Sequence, residues 1–143
     1  MSSSAVNFFY QEIRFPFANR NALKSAIVSL FRHEGHRLAN LNIVFCTDEA
    51  LLQINRDFLQ HDYYTDIITF PMNSTKASIE AELYISVDRV RDNARQGAVS
   101  FNVELHRVIF HGCLHLVGYN DKSSQQIKKM REREDHYLRL YLK

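Results

Sequence analysis

No apolar run in this chain approaches the ~18–20 residues that a membrane span needs, so a membrane partner gets no support. The start, MSSSAVNFFYQEIRF, lacks a basic stretch followed by an apolar one, so no secretory signal is expected. Two cysteines, Cys46 and Cys113, are too few for a disulfide framework. Each lies in an apolar stretch and is expected to be a buried thiol in a cytoplasmic protein. Excess charge is lacking too: 18 basic against 16 acidic residues leave a formal +2, not the footprint of a protein that coats nucleic acid. A local basic patch is all that balance allows. Glycine and proline are scarce, at 4 and 2, and no linker or internal repeat divides the chain.

What is present is a core. The chain is 45% hydrophobic and carries 10 Phe and 7 Tyr, which excludes a disordered segment. Its 143 residues suit one domain, taken as residues 1–143, large enough to fold without staples. Residues 5–15 read as a strand, and 19–35 as a helix capped by Asn19 and ended by Gly35. Residues 38–47 read as a second strand. A helix capped by Asp48 follows to Leu59, with Leu51, Leu52 and Phe58 as its apolar residues. Residues 65–72 and 77–87 read as strands joined across the polar NSTK, with Pro71 marking an end or an edge. Helices follow over 88–97 and 102–117, and the chain closes with a helix opened by a Ser123/Gln126 capping box. The order β α β α β β α α α predicts an α+β domain: a mixed four-stranded sheet with helices packed on it.

The helix over 102–117 is apolar on most sides, as a buried helix is. One polar stripe runs along it. His111 and His115 are one turn apart on a shared face, with Glu104 behind them and Arg107 nearby. A polar stripe on a buried helix must find a partner, water or a metal.

The stretch HGCLHLVGYND sharpens this. Gly118 can take the left-handed conformation that ends a helix, and the chain can then fold back with a third ligand. From His111 the pattern is H-x3-H-x2-G-x2-D, the metzincin spacing with Gly112 for the glutamate and Asp121 for the last histidine. Two imidazoles and a carboxylate suit catalytic zinc with a position left for water, and the carboxylate also admits other divalent metals. A satisfied structural pair of histidines is the competing reading. In zinc peptidases the glutamate after the first histidine is the general base, work that Gly112 cannot do. Glu104 stands roughly 10 Å along the helix from His111. Peptidase chemistry is therefore disfavoured.

HGCLHLVGYND resembles the signature of the YbeY family of bacterial endoribonucleases. HDYYTDIITFP, AELYISVDRVRDNA, VELHRVIFHG and the Met-x-x-x-Glu of MREREDHYL are similar to other segments of that family, so the likeness covers the chain from about residue 40. It implies a small α+β metalloprotein, usually with zinc, that cleaves single-stranded RNA. It also implies work in 16S rRNA 3′-end maturation and ribosome quality control, with ribosomal RNA and subunits as partners and no DNA. The family's metal positions fall on His111, His115 and Asp121, where the third is more often histidine. Catalysis would run through a water at that metal. The family usually carries an arginine where this chain has Leu59. Arg56, one turn earlier, is the cation that could stand in.

A metal there would lower the pKa of a water and polarise a phosphodiester, with water or a 2′-hydroxyl as nucleophile. His61 is a candidate proton-transfer group, and Asp66 a candidate to orient a ligand histidine. Arg89, Arg91, Arg95 and Arg107 precede the signature. Lys122, Lys128, Lys129, Arg131 and Arg133 follow it, interleaved with Glu132, Glu134 and Asp135 as on a solvated helix face. His33, His36 and His136 read as surface residues. Two other classes stay open: a metal hydrolase with a non-RNA substrate, and a ribosome-associated RNA-binding factor whose metal only braces the fold.

Overall fold

The computed structural model describes residues 5–15, 17, 19–73, 75 and 78–142. The elements run β1 (Val6–Tyr10), α1 (Arg20–His33), β2 (Arg37–Cys46), α2 (Asp48–Leu59), β3 (Ile67–Pro71), β4 (Ser78–Ser86), α3 (Val87–Gln96), α4 (Phe101–Leu116) and α5 (Ser124–Tyr141). This is the expected order. The four strands form one mixed sheet in the order β1-β2-β4-β3. The β1–β2 and β2–β4 pairs are parallel, and β3–β4 is antiparallel. β3 is an edge strand and Pro71 closes it, where a missing N–H is tolerated. Of the expected connection between β3 and β4, Ser74 and Lys76 lie outside the described residues, as do Ala77 and the first four residues of the chain.

Three local expectations are corrected. The first strand ends at Tyr10 rather than residue 15, because Glu12 takes a left-handed φ of 61° and turns the chain. Asn19 is itself left-handed and makes no side-chain cap on α1. Thr47, not Asp48, caps α2, accepting the Ala50 N–H on its side chain at 3.1 Å. The Ser123/Gln126 capping box on α5 is present as expected.

Strand alternation divides the apolar residues between the faces of the sheet. Leu41, Ile43, Phe45, Leu83 and Ile85 join the main core, together with Leu30, Phe31, Ile109, Phe110 and Leu114 from the helices. On the other face α2 covers only the β3–β4 end, around Leu51, Cys46 and Ile68. Phe58, one of the apolar residues read on α2, is 71% exposed. Both cysteines are buried and free, and burial pushes the Cys46 thiol up to about 12 and the Cys113 thiol further, so neither is a ready nucleophile.

α4 is the central helix, touching β3, β4, α1, α3 and α5. It meets the sheet most closely at Gly112. A Cβ there would stand 2.7 Å from Ile67 Cδ1 and 3.1 Å from both Leu83 methyls. The position at which the peptidase motif carries its base is thus pressed against the sheet. Gly112→Ala gains about 1 kcal/mol in helix propensity and loses about 1–3 kcal/mol to overpacking. Urea unfolding is expected to find it destabilised by no more than about 2 kcal/mol. Gly112→Glu drives a carboxylate into the same apolar contact, and a loss of at least about 3 kcal/mol is expected. A Gly112→Glu chain as stable as the parent would contradict this packing.

Candidate metal centre

α4 ends in two nested backbone bonds: Gly118 N–H to the His115 carbonyl at 3.1 Å, and Tyr119 N–H to the Leu114 carbonyl at 3.0 Å. This is the Schellman ending, and it requires the left-handed conformation that Gly118 adopts at φ 106°. The reversal carries residues 119–121 back along the helix and sets Asp121 beside the histidines.

His111 Nε2 and His115 Nε2 lie 3.1 Å apart, and each is 3.3 Å from Asp121 Oδ2. A tetrahedral metal with bonds of about 2.0–2.1 Å holds neighbouring donors about 3.3 Å apart, so the triangle has the edge lengths of one face of such a site. Among the described residues this is the one group of three or more His, Cys, Asp or Glu placed so that it could hold a metal ion.

Proton accounting points the same way. His111 Nδ1 is 2.6 Å from Glu134 Oε2, and His115 Nδ1 is 2.9 Å from the Tyr119 carbonyl oxygen. Carbonyl and carboxylate oxygens accept, so each Nδ1 carries the hydrogen. With neutral rings, two bare Nε2 lone pairs and a carboxylate oxygen then converge. Only a cation or a proton relieves that arrangement. Carboxylate and carbonyl partners on the outer nitrogens are also what orient metal-ligating imidazoles.

Glu134 sits on α5 and is 4% exposed. Its second oxygen accepts from Arg107 at 2.9 Å, and Arg107 also reaches Asp135 at 2.7 Å. Burial disfavours a charged His111. The hydrogen bond to Glu134 and the charges of Glu134, Asp121 and Asp66 outweigh it and hold the His111 pKa above its ordinary value. The solvated reading of Glu134 is therefore corrected. Its readable signal was the Met130-x-x-x-Glu134 pattern, with Met130 also buried. Tyr119 acts through a backbone carbonyl, which no residue type announces.

Two clefts flank the centre. One, of about 680 Å³, has Asn55, Leu59, His61, Tyr63, Thr65 and Lys122 around the three candidate ligands. The other, of about 620 Å³, brings Glu104, Arg107 and Arg131 to His111 and Asp121. Asp66 borders both, but its carboxylate accepts from Asn93 at 3.1 Å rather than from a histidine. Burial raises the pKa of Asp66, and also that of Glu104. Arg56 borders neither described cleft and pairs with Asp62 at 2.5 Å, while Leu59 stands in the cleft wall. Arg89 is tied to Asp48, Arg95 to Asp92 and Arg133 to Glu34. Lys122 and the 65%-exposed Arg131, whose contact with Glu134 is a long 4.0 Å, are therefore the cations best placed to meet an anion at the centre.

The family model described as Endoribonuclease YbeY matches residues 8–141. A Cytophaga hutchinsonii protein named Endoribonuclease YbeY is 43% identical over 140 residues, covering 98% of each chain. A Parabacteroides distasonis protein of the same name is 40% identical over 134 residues, covering 94% of each. The solution structure of a Thermotoga maritima protein aligns with a TM-score of 0.60 at 21% identity, covering 95% of this chain and 91% of that one. That last likeness bears on the fold alone.

The Glu134–His111 bond predicts how the centre answers to pH and mutation. A metal must displace the proton that His111 holds more tightly than usual, so binding weakens on acidification from a higher pH than an unpaired histidine would set. Glu134→Gln is expected to lower zinc affinity at neutral pH about 10–100-fold and, because His111 then takes up its competing proton less readily, to start the acid fall-off of affinity from its own plateau at a lower pH. Competition with a chromophoric chelator across pH measures both. Unchanged affinity and pH midpoint would remove Glu134 from the site.

Proposed function

The chain belongs to the Endoribonuclease YbeY family, and from that premise we propose that it is a metal-dependent endoribonuclease cutting single-stranded RNA at a centre held by His111, His115 and Asp121. The observation that carries this reading is the triangle of three donor atoms whose outer hydrogen bonds leave their lone pairs facing one another. Zinc suits the two-nitrogen, one-oxygen set and its edge lengths. When bound, the metal lowers the pKa of a water and draws charge from the scissile phosphate.

The chain's own groups do the rest. Glu134 and the Tyr119 carbonyl hold the imidazoles in the tautomer that presents Nε2. Lys122 and Arg131 meet phosphate oxygens on the two sides of the centre. Asp66, which borders both clefts and whose pKa burial raises, is the carboxylate placed to exchange a proton beside the centre. Arg56 would assist only after giving up Asp62. The packing at Gly112 leaves no room for a peptidase base there, which favours RNA over peptide as the substrate.

The proposed role is 16S rRNA 3′-end maturation and ribosome quality control, carried by residues 1–143 as a single domain. Ribosomal RNA and subunits are the partners, DNA is not, and the cytoplasm is the compartment. Support for this finer assignment is the family membership and the single-strand RNA chemistry argued for the site. No helix among the described residues is long and apolar enough to cross a membrane.

The deciding assay is cleavage of single-stranded and double-stranded RNA with and without chelator, with circular dichroism in parallel. Cutting of the single strand is expected, lost on chelation with the fold kept, restored by zinc and absent in His115→Ala. If chelation unfolds the chain and no RNA is cut under any condition, the metal braces the fold and the enzymatic reading fails.

A further inference from the structure

The cleft on the Leu59 side has an unusual wall for a site meant to face phosphates. Leu59 is 40% exposed and Tyr63 55% exposed. The His61 ring is stacked on the Tyr63 ring, with centroids 5.1 Å apart and planes inclined by 19°. The Tyr63 hydroxyl also meets His61 Nδ1 at 2.9 Å, so the pair is fixed at ring and tip.

The backbone beneath the pair is fixed as well. Asn55, 1% exposed on α2, donates its side-chain amide to the Tyr63 carbonyl at 2.9 Å. Its own carbonyl accepts the His61 N–H at 3.0 Å. One buried residue thus pins both ends of the aromatic step, His61 through its backbone carbonyl and Tyr63 through its side-chain amide. A large exposed ring held this firmly presents contact area without an ordering penalty on binding. Leu59, His61 and Tyr63 border the same cleft as His111, His115 and Asp121, with Lys122 also on its border. The apolar and aromatic residues suit the face of a base, and the lysine suits the backbone that joins it to the next nucleotide.

We infer that Tyr63, braced by His61 and seated beside Leu59, is a stacking platform for one unpaired nucleobase next to the scissile phosphate. The inference rests on the RNA-cleaving reading above and adds a binding subsite to it. A platform of this kind takes a splayed-out base and cannot reach one within a duplex, so it selects single strands by shape rather than by sequence. Every base has a face to stack, so preference among bases is weak.

The test pairs Tyr63→Leu and Tyr63→Phe with short single-stranded RNAs in which one nucleotide at a time lacks its base. Both binding, by fluorescence anisotropy, and cleavage are read. With intact RNA, Tyr63→Leu is expected to bind roughly tenfold more weakly and to raise KM with kcat nearly kept, while Tyr63→Phe, which keeps the stacking ring and gives up only the hydroxyl bond to His61, loses much less than Tyr63→Leu. Removing the base at one position beside the cleavage site should cost the parent about the same factor and cost Tyr63→Leu nothing further. Tyr63 is exposed, and a thermal melt confirms that both variants stay folded. If Tyr63→Leu binds as the parent does, or if base removal costs parent and variant alike at every position, the platform is refuted even where cleavage is normal. If the parent binds RNA and shows the paired loss without cutting, the platform stands and the enzymatic reading fails. If the parent does not bind single-stranded RNA, both fail.

Discussion

The reversal at Gly118 is the constraint on which the candidate centre depends. Two imidazoles one helical turn apart supply two donors and no more. The third arrives because the Schellman ending turns the chain at a left-handed glycine and brings Asp121 back to the helix. Tyr119 locks that turn from both sides. Its carbonyl takes the His115 Nδ1 hydrogen, and its hydroxyl donates to Glu34 at 2.9 Å. Burial works against the Glu34 carboxylate, yet hydrogen bonds from Tyr137, Arg133 and Tyr119 hold its pKa below the ordinary value. The loop that carries Asp121 is thereby tied through one carboxylate to the end of α1 and the body of α5.

The same economy governs α4. One face is pressed so tightly to β3 and β4 that position 112 admits no side chain without displacement. Another carries the histidines toward the clefts. α5 closes over the helix and contributes Glu134, shared between Arg107 and His111. That buried carboxylate is paired on both oxygens, the condition under which a buried charge is tolerable. Orientation of a ligand and packing of the last helix are thus one interaction.

Much of this was legible in the residues. Apolar patterning with cap and turn signals located each strand and helix, if not every boundary, because most of the core lies on one face of the sheet and the patterns are strong. The histidine spacing and Gly118 located the centre, since i,i+4 spacing and a helix stop are local signals. What escaped was what depends on partners distant in sequence. Glu134 looked like a solvated charge because its neighbours Glu132 and Asp135 are charged, and only the packing of α5 on α4 buries it. Phe58 fitted the apolar stripe of α2 but meets the Phe70 ring of the edge strand β3 only edge-on and stays exposed. The arginines before the signature looked available for an anion, yet Asp48, Asp92 and Glu134 already hold three of them.

The central claim is that three side chains of this one chain hold a metal, and elemental analysis tests it most directly. Protein purified without an affinity tag or added metal should carry one zinc or similar transition metal ion per chain. The His111→Ala, His115→Ala double variant, purified alongside, should carry none. A parent chain that holds no metal even after zinc is offered at neutral pH, or a double variant that retains it, would contradict the account.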